Sequence, residues 1–184
     1  GIISGTGAVS GALTVGQGAV VKPGSSSNPA DKATAGDGVG TLNTSNLTFA
    51  PTSASTVGEL KILSSSSADK INITGTLTLN ANSNFVVTFD PGYTPNSGDS
   101  WTLLDWSGAI TTGGFSTGTN FRTGNNADLN EGNLDLPDLS SSGLNWSISN
   151  LTTGGALVVT VVPEPGRALL FAAGLLGLCW RRRR

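Results

Sequence analysis

The chain has no histidine, no methionine, one cysteine and one tyrosine among 184 residues. Each shortage removes a class of chemistry. Without histidine there is no Ser-His-Asp triad, no imidazole-activated thiol and no His-ligated zinc. The lone thiol, Cys179, can form neither an intrachain disulfide nor a cysteine-based metal site. Charged residues are 12 % of the chain, about half the usual ~25 %. There is no initiator methionine, and the opening Gly-Ile-Ile-Ser-Gly has neither the basic start nor the apolar core of a signal peptide. The C-terminal tail, by contrast, holds thirteen uncharged residues, 168–180, ended by Arg181 to Arg184, the make-up of an export-linked membrane anchor. The expectation is therefore that these residues are the C-terminal piece of a longer precursor, the alternative being that they follow a removed leader.

Glycine, serine, threonine and asparagine make up nearly half of the sequence. Low charge accompanies disorder when apolar residues are scarce, but 37 % are hydrophobic here and they alternate with polar ones, which predicts an ordered fold. Of ten basic and twelve acidic residues, five and one lie from Pro163 onward. Residues 1–162 thus carry five and eleven, a net of −6. A mildly acidic body argues against nucleic-acid binding, which needs a basic stripe.

The pattern along the chain is strand, turn, strand. Ala12, Leu13, Thr14 and Val15 lead to Ala19, Val20 and Val21, and Pro23-Gly24 breaks the run. Residues 24–40 read as a loop. Ile71, Ile73, Leu77 and Leu79 share one parity, with Asn and Thr on the other, the signature of a strand with one buried face. Residues 59–63, 85–89, 101–106 and 156–162 are further strands, and nothing before residue 166 has helical spacing. Gly-Ala-Leu-Thr-Val (11–15), Ser-Asn-Leu-Thr-Phe (45–49) and Gly-Thr-Leu-Thr-Leu (75–79) share one form. Their leucines, Leu13, Leu47 and Leu77, recur at a period that suits the stacked coils of a solenoid. A β-sandwich, which also uses short strands and Gly/Pro turns, is the alternative.

The body also resembles surface proteins with autotransporter-type β-strand repeats. The order of segments carries the likeness: Phe85 to Phe89, Gly92-Tyr93-Thr94-Pro95, Gly98-Asp99, Trp101-Thr102-Leu103-Leu104-Asp105, Gly114-Phe115, Leu136-Pro137-Asp138-Leu139, Gly143-Leu144-Asn145-Trp146 and Gly155-Ala156-Leu157-Val158-Val159. The resemblance spans about residues 40–162 and implies an all-β, right-handed parallel β-helix. The Asn-, Gly- and Asp-rich stretch 122–133 is longer than the family has there. The chain then divides into an incomplete N-terminal repeat and loop (1–39), an end module of the repeat passenger (40–162) and a tail (163–184).

In the tail, Pro163-Glu164-Pro165 precedes thirteen uncharged residues, 168–180, and then Arg181, Arg182, Arg183 and Arg184. Prolines at 163 and 165 keep the backbone extended and stop a helix from starting earlier. Ala168, Leu169, Leu170, Phe171, Leu175, Leu176, Leu178 and Trp180 form the apolar anchor. As a helix, thirteen residues span about 20 Å, short of the ~30 Å hydrocarbon core. The arginines act as a cytoplasmic stop-transfer block. This tail resembles the PEP-CTERM sorting signal of bacteria that encode an exosortase. The resemblance implies a short transmembrane helix and transient anchoring in inner-membrane lipid. It also implies processing at Pro163, Glu164 and Pro165 by an exosortase-type enzyme and delivery to the cell surface or extracellular matrix.

No catalytic, cofactor or metal site is predicted. Asp99 and Asp105 are the pair closest to a glycosidase arrangement, but they read as a turn residue and a strand end. Residues 128–135 look faintly like a calcium loop, except that Gly132 falls one position early. Trp101, Trp106 and Trp146 read as core rather than sugar platforms. Asn43, Asn46, Asn72, Asn145 and Asn150 begin glycosylation sequons. The leading expectation is a non-enzymatic structural or adhesive surface protein, with extracellular polysaccharide as an open partner. The alternative is the C-terminal stalk of a surface polysaccharide-active enzyme whose catalytic domain lies upstream.

Overall fold

The computed structural model describes residues 1–24, 38–113, 115, 121–123, 134–148 and 155–164. Its strands, in chain order, are β1 (Ile2–Gly5), β2 (Gly7–Val15), β3 (Val20–Pro23), β4 (Thr41–Phe49), β5 (Ser55–Ser64), β6 (Ser67–Ala68), β7 (Lys70–Ile73) and β8 (Leu77–Leu79). They continue with β9 (Ser83–Phe89), β10 (Ser100–Trp106), β11 (Ile110–Thr111), β12 (Phe121–Thr123), β13 (Leu134–Leu136), β14 (Leu144–Ile148) and β15 (Ala156–Pro163). The expected all-β class is what the described residues show, and one 3-10 turn, Ser140–Ser142, is their single helical element.

The strands form two sheets. The first has the order β1-β3-β5-β9-β13-β12, with every pair in that path parallel, and β6 folds back on β5. The second has the order β11-β8-β4-β7-β10-β15-β14, with β2 on β4. Its pairs are parallel as far as β10, and antiparallel from β10 through β15 to β14. Through most of its length the chain alternates between sheets, so a strand's neighbour is usually the same part of the next repeat.

The repeat legible in the sequence is this stacking. Leu13, Leu47, Leu77 and Ile110 lie side by side in register, and so do Thr14, Thr48, Thr78 and Thr111. Leu47 and Leu77 are fully buried, whereas Thr14 and Thr111 are exposed. Gly-Ala-Ile-Thr-Thr (108–112) is thus a fourth copy, with isoleucine in place of leucine and threonine in place of the closing apolar residue. A second inward row, Leu42, Ile71, Leu104 and Leu157, ends on β15. Between the two rows the second sheet bends, and Gly75 and Gly108 there have no room for a side chain. A Cβ on Gly75 would lie 2.4 Å from the Ser45 carbonyl oxygen, and one on Gly108 would lie 2.6 Å from the backbone of Gly75. Hydroxyls bridge the coils at the same bend: Ser45 Oγ donates to Gly11 O at 2.5 Å and Ser107 Oγ to Thr74 O at 2.7 Å.

The core lies between the sheets. Val15, Phe49 and Leu79 meet Val21, Leu60, Ile62, Phe85 and Val87, all buried. Phe49 and Phe85 close across the gap edge-to-face at 5.0 Å. Burying each large apolar side chain contributes about 1.5–3 kcal/mol. The opposite face of the first sheet carries charges: Lys22 pairs with Glu59, and fully buried Lys61 with Asp90 at 2.8 Å. Asp69, also buried, accepts from the amides of Gly40 and Lys61, both at 2.9 Å. Lys61 is fully buried on this face, and its burial depends on that opposite charge.

The loop expected at 24–40 begins where Pro23 ends β3 and Gly24 takes φ +89°. Its centre, 25–37, lies outside the described residues. The stretch 134–136, not among the strands expected from the sequence, is a buried parallel strand on β9.

Candidate functional site

The motif Pro163-Glu164-Pro165 starts on the folded body itself. β15 is apolar at alternate positions, and Leu157, Val159 and Val161 are buried. It pairs with β10 on one side and β14 on the other. Its last residue, Pro163, is exposed and stands opposite Leu144. Glu164 follows directly, and its amide donates to Gly143 O at 3.2 Å. Gly143 and Leu144, which hold these two residues, were visible in the sequence only as part of the quoted segment Gly143-Leu144-Asn145-Trp146. Pro165 lies outside the described residues, as do the anchor residues Ala168 to Trp180 and the four terminal arginines. Among the described residues no helix is long and apolar enough to cross a membrane.

Beside this exit sits an aromatic cluster. Phe89 and Trp146 stack at 5.8 Å, and Trp101 meets Tyr93 and Trp146, each at 6.1 Å. The indole N–H of Trp101 donates to Ser64 O and that of Trp146 to Pro137 O, both at 2.8 Å. Trp106 is buried as well. Rings enclosed in this way are packing, not a platform open to sugars.

The acidic candidates occupy separate networks. Asp99 accepts from the Tyr93 hydroxyl and from the amide of Asn96 at 2.7 Å. Asp105, on β10, accepts from Lys70 Nζ at 2.6 Å. Six residues of extended chain separate them, about 20 Å, well beyond the ~5–9.5 Å between glycosidase carboxylates. The Tyr93–Asp99 contact has a measurable consequence. Burial, then the hydrogen bond to Asp99 and its negative charge, push the Tyr93 hydroxyl well above its ordinary value of 10. Above pH ~10 the unfolded chain loses this proton while the folded chain keeps it, so stability falls as pH rises beyond that point. Thermal melts from pH 8 to 11 will show this alkaline loss, and Tyr93→Phe will reduce it; an unchanged alkaline limb in the variant would refute the assignment.

Of the calcium-loop candidate only Leu134 and Asp135 are described, and both are buried in β13. Among the described residues no group of three or more acidic or thiol side chains could hold a metal. Three sequon asparagines have structural duties. Asn72 Nδ2 donates to Asn43 Oδ1 at 2.9 Å, and Asn46 Oδ1 accepts from the Thr76 amide at 2.8 Å. Asn145 pairs with Val162, and Asn150 lies outside the described residues.

Residues 161–184 match the PEP-CTERM protein-sorting motif. No curated protein and no solved structure matches the chain. The motif marks the chain as an exported protein sorted at a membrane and processed by an exosortase-type enzyme. It covers the exit described above and the tail, and leaves the role of the body to its own structure.

Proposed function

We propose that the body is the end module of a right-handed parallel β-helix that serves as a structural or adhesive element of the bacterial surface, without catalysis of its own. The observation that carries this reading is the in-register stacking of Leu13, Leu47, Leu77 and Ile110 through parallel strands. Parallel pairing favours a solenoid over a sandwich, whose sheets are antiparallel, and right-handed crossover is the rule for such connections. Among the described residues β1 has a partner on one side only, and so does β2, so further coils can stack there. At the other end, antiparallel β15 and β14 break the repeat and lead into the sorting motif.

In this reading the segment 168–180 is a short helix held transiently in the inner membrane, with the four arginines inside. Processing then breaks one peptide bond near Pro163-Glu164-Pro165. The acyl side passes to water or to an amine acceptor, and the anchor leaves with a new amino terminus. The body is delivered to the cell surface or matrix, with extracellular polysaccharide as its proposed partner. The test uses mature protein purified from the cell surface. It will release no sugar ends from surface polysaccharide, and cells lacking it will adhere less while polysaccharide turnover is unchanged. Polysaccharide cleavage that Asp99→Asn or Asp105→Asn abolishes would overturn the structural reading.

A further inference from the structure

No linker separates the sorting motif from the fold. β15 continues to Pro163 opposite Leu144, and the Glu164 amide extends the ladder to Gly143 O. That bond makes Leu144–Pro163 a non-hydrogen-bonded pair, so the proline's missing N–H is not needed toward β14. The acceptor is itself held. Gly143 takes φ +66° after the 3-10 turn, and the amides of Ser142 and Leu144 both donate to Leu139 O, at 3.0 and 3.3 Å. On the other flank Val161 accepts from the Gly98 amide and donates to Asp99 O, each at 2.8 Å. From Glu164 to Ala168, where the apolar run starts, four residues of chain extend at most about 14 Å.

A peptide taken up in an extended form offers its backbone hydrogen bonds to the enzyme. A segment whose bonds are already in a ladder must first leave it. We propose that β14 and the end of β15 form a catch on the sorting motif. Pro163 and Glu164 become available to the processing enzyme only when they detach from Leu144 and Gly143, so the local stability of this end sets the processing rate. The inference rests on reading residues 163–165 as the processing motif. Detachment needs only local opening, which costs less than global unfolding, and the rest of β15 stays in place.

Two measurements on the full chain test it. In an exosortase-bearing strain, six Gly/Ser residues inserted between Val162 and Pro163 free the motif while the body keeps β15. Pulse-chase will show processing about tenfold faster, the factor equivalent to 1.4 kcal/mol of lost pairing. Equal or slower processing of the inserted form overturns the catch. If neither form is cut, the processing reading fails and the catch falls with it. Hydrogen exchange on the full chain in detergent is independent of the enzyme. The Glu164 amide will be protected alongside that of Val162, and exchange at the rate of an unstructured peptide would overturn the catch even if processing occurs.

Discussion

Cells that carry Pro163, Glu164 and Pro165 all replaced by alanine will accumulate an uncut, membrane-bound chain. Both prolines fix φ, and the backbone before each stays extended. Alanine removes that constraint and has the strongest helix propensity, so the helix expected from residue 168 can extend backward through the cleavage region. The glutamate carboxylate is lost at the same time. The body will fold as before, because Pro163 and Glu164 sit at the end of β15 and its buried residues are unchanged. Mass spectrometry reads the result directly. Wild-type surface protein will lack its C-terminal residues, whereas the alanine form will end at Arg184 and stay with the membrane. Surface protein from the wild type that still ends at Arg184 would defeat the prediction. In the proposed anchor the arginines hold this intermediate, since carrying each through the bilayer centre costs about 2.5–3.5 kcal/mol on insertion scales.

Phe85→Ala will cost the body about 3–5 kcal/mol, the range for removing a buried aromatic ring. Phe85 is fully buried, meets Phe49 at 5.0 Å and Phe115 at 5.9 Å edge-to-face, and lies against Gly58. A Cβ at Gly58 would stand 2.4 Å from the ring, so the ring already fills the space that a side chain there would take. Its neighbours come from separate parts of the chain, Phe49 on β4, Gly58 on β5 and Phe115 beyond β11, and cannot all move inward to close the void. Against a total stability of about 5–15 kcal/mol for an ordinary domain, the loss is large. Denaturant titration will show the midpoint falling with little change in slope, and Phe85→Leu will lose less. A loss below ~1 kcal/mol would mean that the gap between the sheets is not closed by this ring.

The inward rows were legible because strand periodicity and repeat period coincide at Leu13, Leu47 and Leu77. The fourth copy escaped because isoleucine stands at 110 and threonine, not an apolar residue, at 112. The parallel pairing of β13 with β9 and β12 was not legible: the charged, glycine-rich stretch before it masks the spacing, and two of these strands are only three residues long. The burial of Lys61 was not legible, because alternation reports which side of a strand a residue takes, not what covers that side. Only the structure places Asp90 against it. Pro163 and Glu164 were recognisable from sequence as a motif. Their attachment to Gly143 and Leu144 was not, since it joins segments about twenty residues apart through backbone atoms, which carry no residue identity.

The position of β15 between β10 and β14 also determines how the body bears load. Any pull on the tail enters the fold at Pro163 and runs along a strand bonded on both sides, to β10 from Ser100 to Asp105 and to β14 from Leu144 to Ile148. The force is then shared by two ladders in shear and is not spent on one rung at a time, as it would be at a sheet edge. In the proposed surface role, a body tethered at this point would resist drag through the strand best braced to transmit it, while the two residues beyond that strand's last full rung stay the easiest to part.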